Sequence, residues 1–313
     1  MSHELLDDVY ILYQKCRKTK DLNLLRHAIG TIGDLLNLFP KKKELLLLYL
    51  RVCILHKFIS YKHNEHQRDI YDEFLRENDS FLLTIPSYSV RKQIITFQKF
   101  DNLLLAQIID DFFMNLSSDL TLTFEQAKNE RRILIRKPTI KGDLCRCHYK
   151  QETGFCNNIV NQKYFTYVNQ FNTLSDACIL VHEIGHYYYG LLNNQKEDDY
   201  YNPEMIIKRE IPSRMMELLL IDYLKRIGYQ DEAMKLQAKY NEHMIYHFYD
   251  NSYDTFICYT YLLGSYISTE YADLLINKQV SLEEFFQGIY ETDYKDILQN
   301  TKEREYQKKL NRQ

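Results

Sequence analysis

Apolar side chains recur at helical spacing through the first third of the chain. Leu5, Leu6, Val9, Leu12 and Tyr13 share one face, and the same period runs from Leu22 to Phe39, Leu45 to Phe58 and Ile94 to Leu116. Residues three and four apart lie on one side of an α-helix, so each run predicts a helix packed by that side. Pro40 among its lysines, Asn78-Asp79-Ser80 and Pro86-Ser87 separate the runs. No fixed period links them, which speaks against a helical repeat array. A polar stretch from Lys128 to Lys141, holding Arg131, Arg132, Arg136 and Pro138, is the expected boundary. The predicted division is therefore a helical region over 1–125 and a second domain over 126–313. The nearly all-polar tail Thr301 to Gln313 reads as a solvated helix end.

The pattern changes at residue 173. Thr173-Leu174-Ser175-Asp176 has the residues of a reciprocal helix cap, and Ala177 to Val181 then run apolar into His182-Glu183-Ile184-Gly185-His186. A helix apolar on every side is buried, so these histidines are not incidental surface residues. Histidines four apart lie about one turn from each other on one face and can reach a single metal ion. Glu183, turned about 100° from His182, is placed to act as general base on water there.

A catalytic zinc needs a third protein ligand and an open position. Glu210, in Lys208-Arg209-Glu210-Ile211-Pro212-Ser213-Arg214-Met215-Met216-Glu217, is the candidate. Asn202-Pro203-Glu204 reads as a cap, a proline at the first helical position and an acid in the first turn, so a second helix can run against the first and present that carboxylate. Pro212 predicts a kink, or a new helix starting near Glu210. Glu217, seven residues on, shares the face of Glu210; it either orients a ligating imidazole or makes an ordinary surface ion pair.

The pairing of His182-Glu183-Ile184-Gly185-His186 with Glu210-Ile211-Pro212-Ser213-Arg214-Met215-Met216-Glu217 resembles the thimet oligopeptidase and oligoendopeptidase F family of zinc metallopeptidases. Lys141-Gly142-Asp143-Leu144 and Phe165 to Phe171 are similar to the family's segments before the metal helix, and the likeness covers roughly residues 140 to 265. It implies a mainly α fold with a zincin-like core, a small β-sheet beside the metal helix, and the N-terminal helices as a cleft wall. It also implies one zinc ion held by His182, His186 and Glu210, with Glu183 as general base. Phe165 to Phe171 would be an edge strand that pairs with extended substrate. The segment His247 to Tyr261 resembles the family's histidine and tyrosine stretch. It implies Tyr261 and Tyr253, then His247 and Tyr259, as donors to the tetrahedral oxyanion. Here Tyr187-Tyr188-Tyr189 stands where the family often has a further, non-ligating histidine, and family members are considerably longer than 313 residues.

Composition narrows the rest. Nine glycines, five prolines and 45% apolar residues suit a mainly helical protein able to bury a large core. A net charge of -3 and a pI near 6.4 give no electrostatic case for nucleic acid or an anionic membrane. Arg51 interrupts the apolar stretch Leu45 to Leu55, which is too short to span a bilayer, and Glu4, Asp7 and Asp8 are unlike a secretion signal. Seven scattered cysteines suggest reduced thiols, hence a cytoplasmic protein; Cys145, Cys147 and His148, with Cys156, lack zinc-ribbon spacing. The expected function is therefore a zinc peptidase acting on short unfolded oligopeptides. Two alternatives are a binding or regulatory module that keeps the metal core and meets a partner through its N-terminal helices, and a zinc carboxypeptidase, for which Arg214 is a candidate to hold the terminal carboxylate, although an ordinary salt bridge suits that arginine better.

Overall fold

A computed structural model describes residues 3–39, scattered residues between 42 and 77, and 95–130, 132–135, 154–159, 163–168, 171–193, 202–242 and 252–311. His247 and the Cys145-Cys147-His148 stretch lie outside them.

The protein is mainly helical. Helices α1 (His3–Thr19) and α2 (Leu22–Leu38) come first, and Asp21 caps α2 by accepting from the backbone of Asn23 and Leu24. Their apolar faces, including Val9, Tyr13, Leu25, Ile32 and Leu36, meet Leu45, Leu48, Tyr49, Val52 and Leu55 in a cluster of their own. A larger cluster begins with α3 (Asn102–Leu116) and α4 (Ser118–Asn129), capped by Asp101 and Ser117. These two helices, in the stretch expected to form a wall, share that core with the helix bearing His182.

Three short strands follow: β1 (Ile133–Ile135), β2 (Gly154–Ile159) and β3 (Lys163–Val168), in the order β1-β3-β2. β3 pairs antiparallel with β2 along its whole length, and Thr166 to Val168 also pair in parallel with Ile133 to Ile135. The amide of Thr166 donates to the carbonyl of Arg132 at 2.8 Å, continuing that ladder. β3 was expected to be an edge strand open to substrate, and this is corrected: where β1 lies beside it, its backbone groups already have partners. The outer edges of β1 and β2 are the sheet's edges among the described residues.

Helix α5 (Leu174–Asn193) starts at the expected cap: the Thr173 hydroxyl accepts from the amide of Asp176 at 3.1 Å, and the Asp176 carboxylate accepts from the amide of Thr173 at 2.9 Å. It is buried almost all round, as its apolar sequence requires. Helix α6 (Pro203–Arg226) has Asn202 as cap and Pro203 in its first turn, and continues unbroken through Pro212. Helices α7 (Gln230–Glu242) and α8 (Ser252–Ile276) pack against α6, which lies between α5 and α8. Helix α9 (Leu282–Glu291), opened by a Ser281–Glu284 capping box, turns Leu282, Phe285, Phe286 and Ile289 inward, and α10 (Tyr294–Leu310) is the last helix among the described residues. Among the described residues no helix is long and apolar enough to cross a membrane.

Candidate metal centre

The site forms where α5 and α6 come closest. A methyl group on Gly185 would stand 2.8 Å from Cα of Ser213, so only glycine lets the two backbones approach this nearly. Gly185 sits between His182 and His186, and Ser213 sits between Glu210 and Glu217; the point of contact is thus flanked along both helices by the three candidate ligands and by Glu217, which meets His182.

Nε2 of His182 lies 3.5 Å from Oε2 of Glu210, and Nε2 of His186 lies 3.4 Å from Oε1. Ligand atoms of the three residues lie within 4.8 Å of one another. Four ligands about 2.1 Å from a common ion in a tetrahedron are separated by about 3.4 Å, so the spacing suits a small divalent cation. The polar inventory fits as well. Oε2 of Glu210 is buried and accepts no hydrogen bond among the described residues, an arrangement that is costly for a carboxylate unless a cation faces it. Two imidazoles and one carboxylate form a set that could hold a metal ion.

The imidazoles differ in support. Nδ1 of His182 is 2.7 Å from Oε1 of Glu217. A carboxylate can only accept, so Nδ1 carries the proton and Nε2 faces Glu210. Burial disfavours a charged His182, but the hydrogen bond and charge of Glu217, with the charges of Glu210 and Glu183, outweigh it and bring the group to about 9. Nδ1 of His186 is buried and has no hydrogen bond among the described residues; burial, only partly offset by Glu210, lowers this imidazole to about 4. Glu210 is held at about 2: burial opposes its charge, and His186, His182 and Arg209 prevail.

Glu183 is buried at 7% exposure, and its charge acts on both His182 and Tyr261. Of the predicted oxyanion donors whose side chains are described, Tyr259 and Tyr261, it is Tyr261 that is brought to this group, its ring 6.3 Å from that of His182. Burial and the charges of Glu210, Glu183 and Glu217 hold its phenol well above its ordinary pKa against the opposing pull of Arg214, so it remains a protonated donor. Tyr259, two residues earlier on α8, is fully buried, with its hydroxyl 2.8 Å from that of Tyr294 and its ring edge-on to Phe74. Tyr253 lies on the first turn of α8, and His247 is outside the described residues.

Sequence reasoning allowed Arg214 a salt-bridging role but did not name Glu217 as its partner. Arg214 is 1% exposed and donates to both carboxylate oxygens of Glu217, at 2.6 and 2.7 Å. This enclosure is incompatible with Arg214 holding a substrate's terminal carboxylate, the role the carboxypeptidase alternative gave it. The available signal was the run Gly264-Ser265 and Ser268 on α8, small residues at one-turn spacing that mark a close helix contact. Gly264 meets Glu210 and Arg214, and the Ser268 hydroxyl donates to the carbonyl of Ile211.

No protein-family model and no curated protein matches the chain. Among solved structures, a chain from Chlamydophila abortus described as a "putative peptidase" matches with a TM-score of 0.47 and 13% identity over 96% of this chain. Another, described as a "putative oligoendopeptidase F" from Bacillus anthracis str. Ames, matches with a TM-score of 0.46 and 13% identity over 90% of this chain. This chain covers 63% of each of those chains.

Proposed function

We propose that the protein is a zinc-dependent peptidase, most simply an oligoendopeptidase, hydrolysing peptide bonds in short unfolded peptides in the cytoplasm. The observation that carries this reading is the convergence of His182, His186 and Glu210, with Glu183 on the next helical position and Tyr261 across the group. A purely structural metal site has no use for a buried base and a protonated phenol beside it. Two histidines and a carboxylate favour zinc among common divalent ions.

Bound by these three residues, zinc would supply Lewis acidity, enough to bring the pKa of water towards about 7. Glu217 fixes the tautomer and rotation of His182. Glu183 takes a proton from the attacking water as the carbonyl carbon becomes tetrahedral, and its carboxyl then delivers that proton to the departing amine. The Tyr261 hydroxyl, neutral at working pH, donates to the carbonyl oxygen as negative charge develops there. Tyr253 and His247 are further candidates for this donation. Tyr259 is a weaker one, since its hydroxyl already pairs with Tyr294.

A quenched-fluorescence peptide library, with and without a chelator, tests the activity. Glu183→Gln should keep its zinc and lose turnover by several orders of magnitude; retained hydrolysis would remove Glu183 from the base role. A zinc-loaded wild type inert towards every peptide would favour the binding-module reading.

A further inference from the structure

Arg214 is among the largest fully buried side chains of the protein, and its donors reach three helices. Nε donates to the Ser265 hydroxyl on α8 at 2.9 Å, and one terminal nitrogen donates to the Tyr240 carbonyl on α7 at 3.2 Å. The other terminal nitrogen bridges both oxygens of Glu217. The guanidinium also lies 4.0 Å from the centre of the Tyr240 ring and 5.8 Å from that of Tyr261. Its stem passes Gly264, where an added methyl would meet Arg214 Cγ at 3.1 Å.

These contacts fix a plane. Any turn of the Glu217 carboxylate about its own bonds would carry the His182 ring with it, and the Cys178 thiol that also reaches Glu217 is a weak donor. A nitrogen bridging both oxygens locks the carboxylate, and the bonds to Ser265 and Tyr240 lock the nitrogen. The Nδ1–H of His182 then meets a fixed acceptor, which sets the ring's rotation and the direction of Nε2.

We propose that Arg214 is a positioning residue for the metal centre, holding Glu217 against His182 so that Nε2 is aimed at the cation before the cation arrives. This rests on the metal-site reading above and adds a residue that touches neither ion nor substrate. Orienting groups behind a metal ligand are worth about 10- to 100-fold in metal affinity, and Arg214 acts through such a group. Lysine keeps the charge but, as a single ammonium on a flexible stem, cannot reach Ser265, Tyr240 and Glu217 together.

The test uses the full chain with Arg214→Met, Arg214→Lys, Glu217→Gln and the Arg214→Met/Glu217→Gln double variant. One readout is the slowly exchanging Nδ1–H proton signal of His182 in metal-free protein; the other is affinity for Co²⁺ from its visible spectrum. Both Arg214 variants should lose the protected proton and bind Co²⁺ about 10- to 100-fold more weakly. The double variant should be no weaker than Glu217→Gln by more than about twofold, because both residues serve one interaction. A protected proton and unchanged affinity in Arg214→Lys would overturn the proposal, as would additive effects of Arg214→Met and Glu217→Gln. If Arg214→Met does not fold, the lysine variant decides. Should wild type bind no Co²⁺, the metal reading fails while the proton signal still decides the role of Arg214.

Discussion

Replacing Gly185 by alanine probes the contact on which the site is built. The new methyl would lie 2.8 Å from Ser213 Cα, 3.1 Å from Ser213 Oγ and 3.2 Å from Met216 Cγ. Carbon pairs settle at about 3.5–4.0 Å, so α5 and α6 must part by several tenths of an ångström to about 1 Å. Alanine gains about 1 kcal/mol over glycine from helix preference alone. Overpacking costs about 1–3 kcal/mol, and the upper part of that range applies because the obstacle is backbone rather than a flexible tip. The net loss should be about 1–2 kcal/mol. Moving α5 also carries both imidazoles away from Glu210, and metal sites tolerate errors of only about 0.2 Å, so zinc affinity should fall at least about tenfold. Thermal unfolding with and without chelator reads the first effect, and chelator competition reads the second. Gly288→Ala is the matched control: it sits mid-helix with nothing within 4 Å of an added methyl, and should gain about 0.5–1 kcal/mol without touching zinc. An alanine at 185 that stabilised the protein equally, with affinity unchanged, would refute the close crossing.

Tyr261→Phe should keep its metal and lose about 10²- to 10³-fold in turnover, with little change in KM, if its hydroxyl meets the developing oxyanion; steady-state kinetics beside elemental analysis separate the cases. The pH dependence of metal binding follows from His182, which must shed a proton from Nε2 to coordinate. Zinc affinity should therefore rise about tenfold per pH unit from 6.5 to about 9 and level off above it, a trend titration calorimetry can follow. Without metal, the stability His182 contributes through its raised pKa is fully present below 6.5 and lost as pH rises through about 9, so alkali should destabilise the metal-free protein first. Glu210 works in the opposite direction: its stabilising charge is present above 4.5 and lost as pH falls through about 2, in acid unfolding.

The helix bearing His182 and His186 and its cap were legible because their signals are local: a Thr173–Asp176 box three residues apart and two histidines one turn apart. The start of α6 was legible for the same reason, in Asn202-Pro203-Glu204. Pro212 was read as a kink or the start of a new helix because proline removes a backbone donor, yet one helix runs through it, held by the neighbouring helices packed against it. What stayed hidden depends on distant pairings. Nothing in Phe165 to Val168 announces that Ile133 to Ile135 will close one side of the strand. Nothing beside Arg214 indicates that its acceptors are a serine on α8 and a carbonyl on α7.

The central claim is that His182, His186 and Glu210 hold one divalent cation between α5 and α6. Zinc content of purified wild type, His186→Ala and Glu210→Ala, measured by elemental analysis after equal exposure to zinc and gel filtration, tests it most directly. The account predicts one ion per chain in wild type and well under half that in each variant, with all three proteins folded. Equal zinc in all three, or none in the wild type, would contradict it.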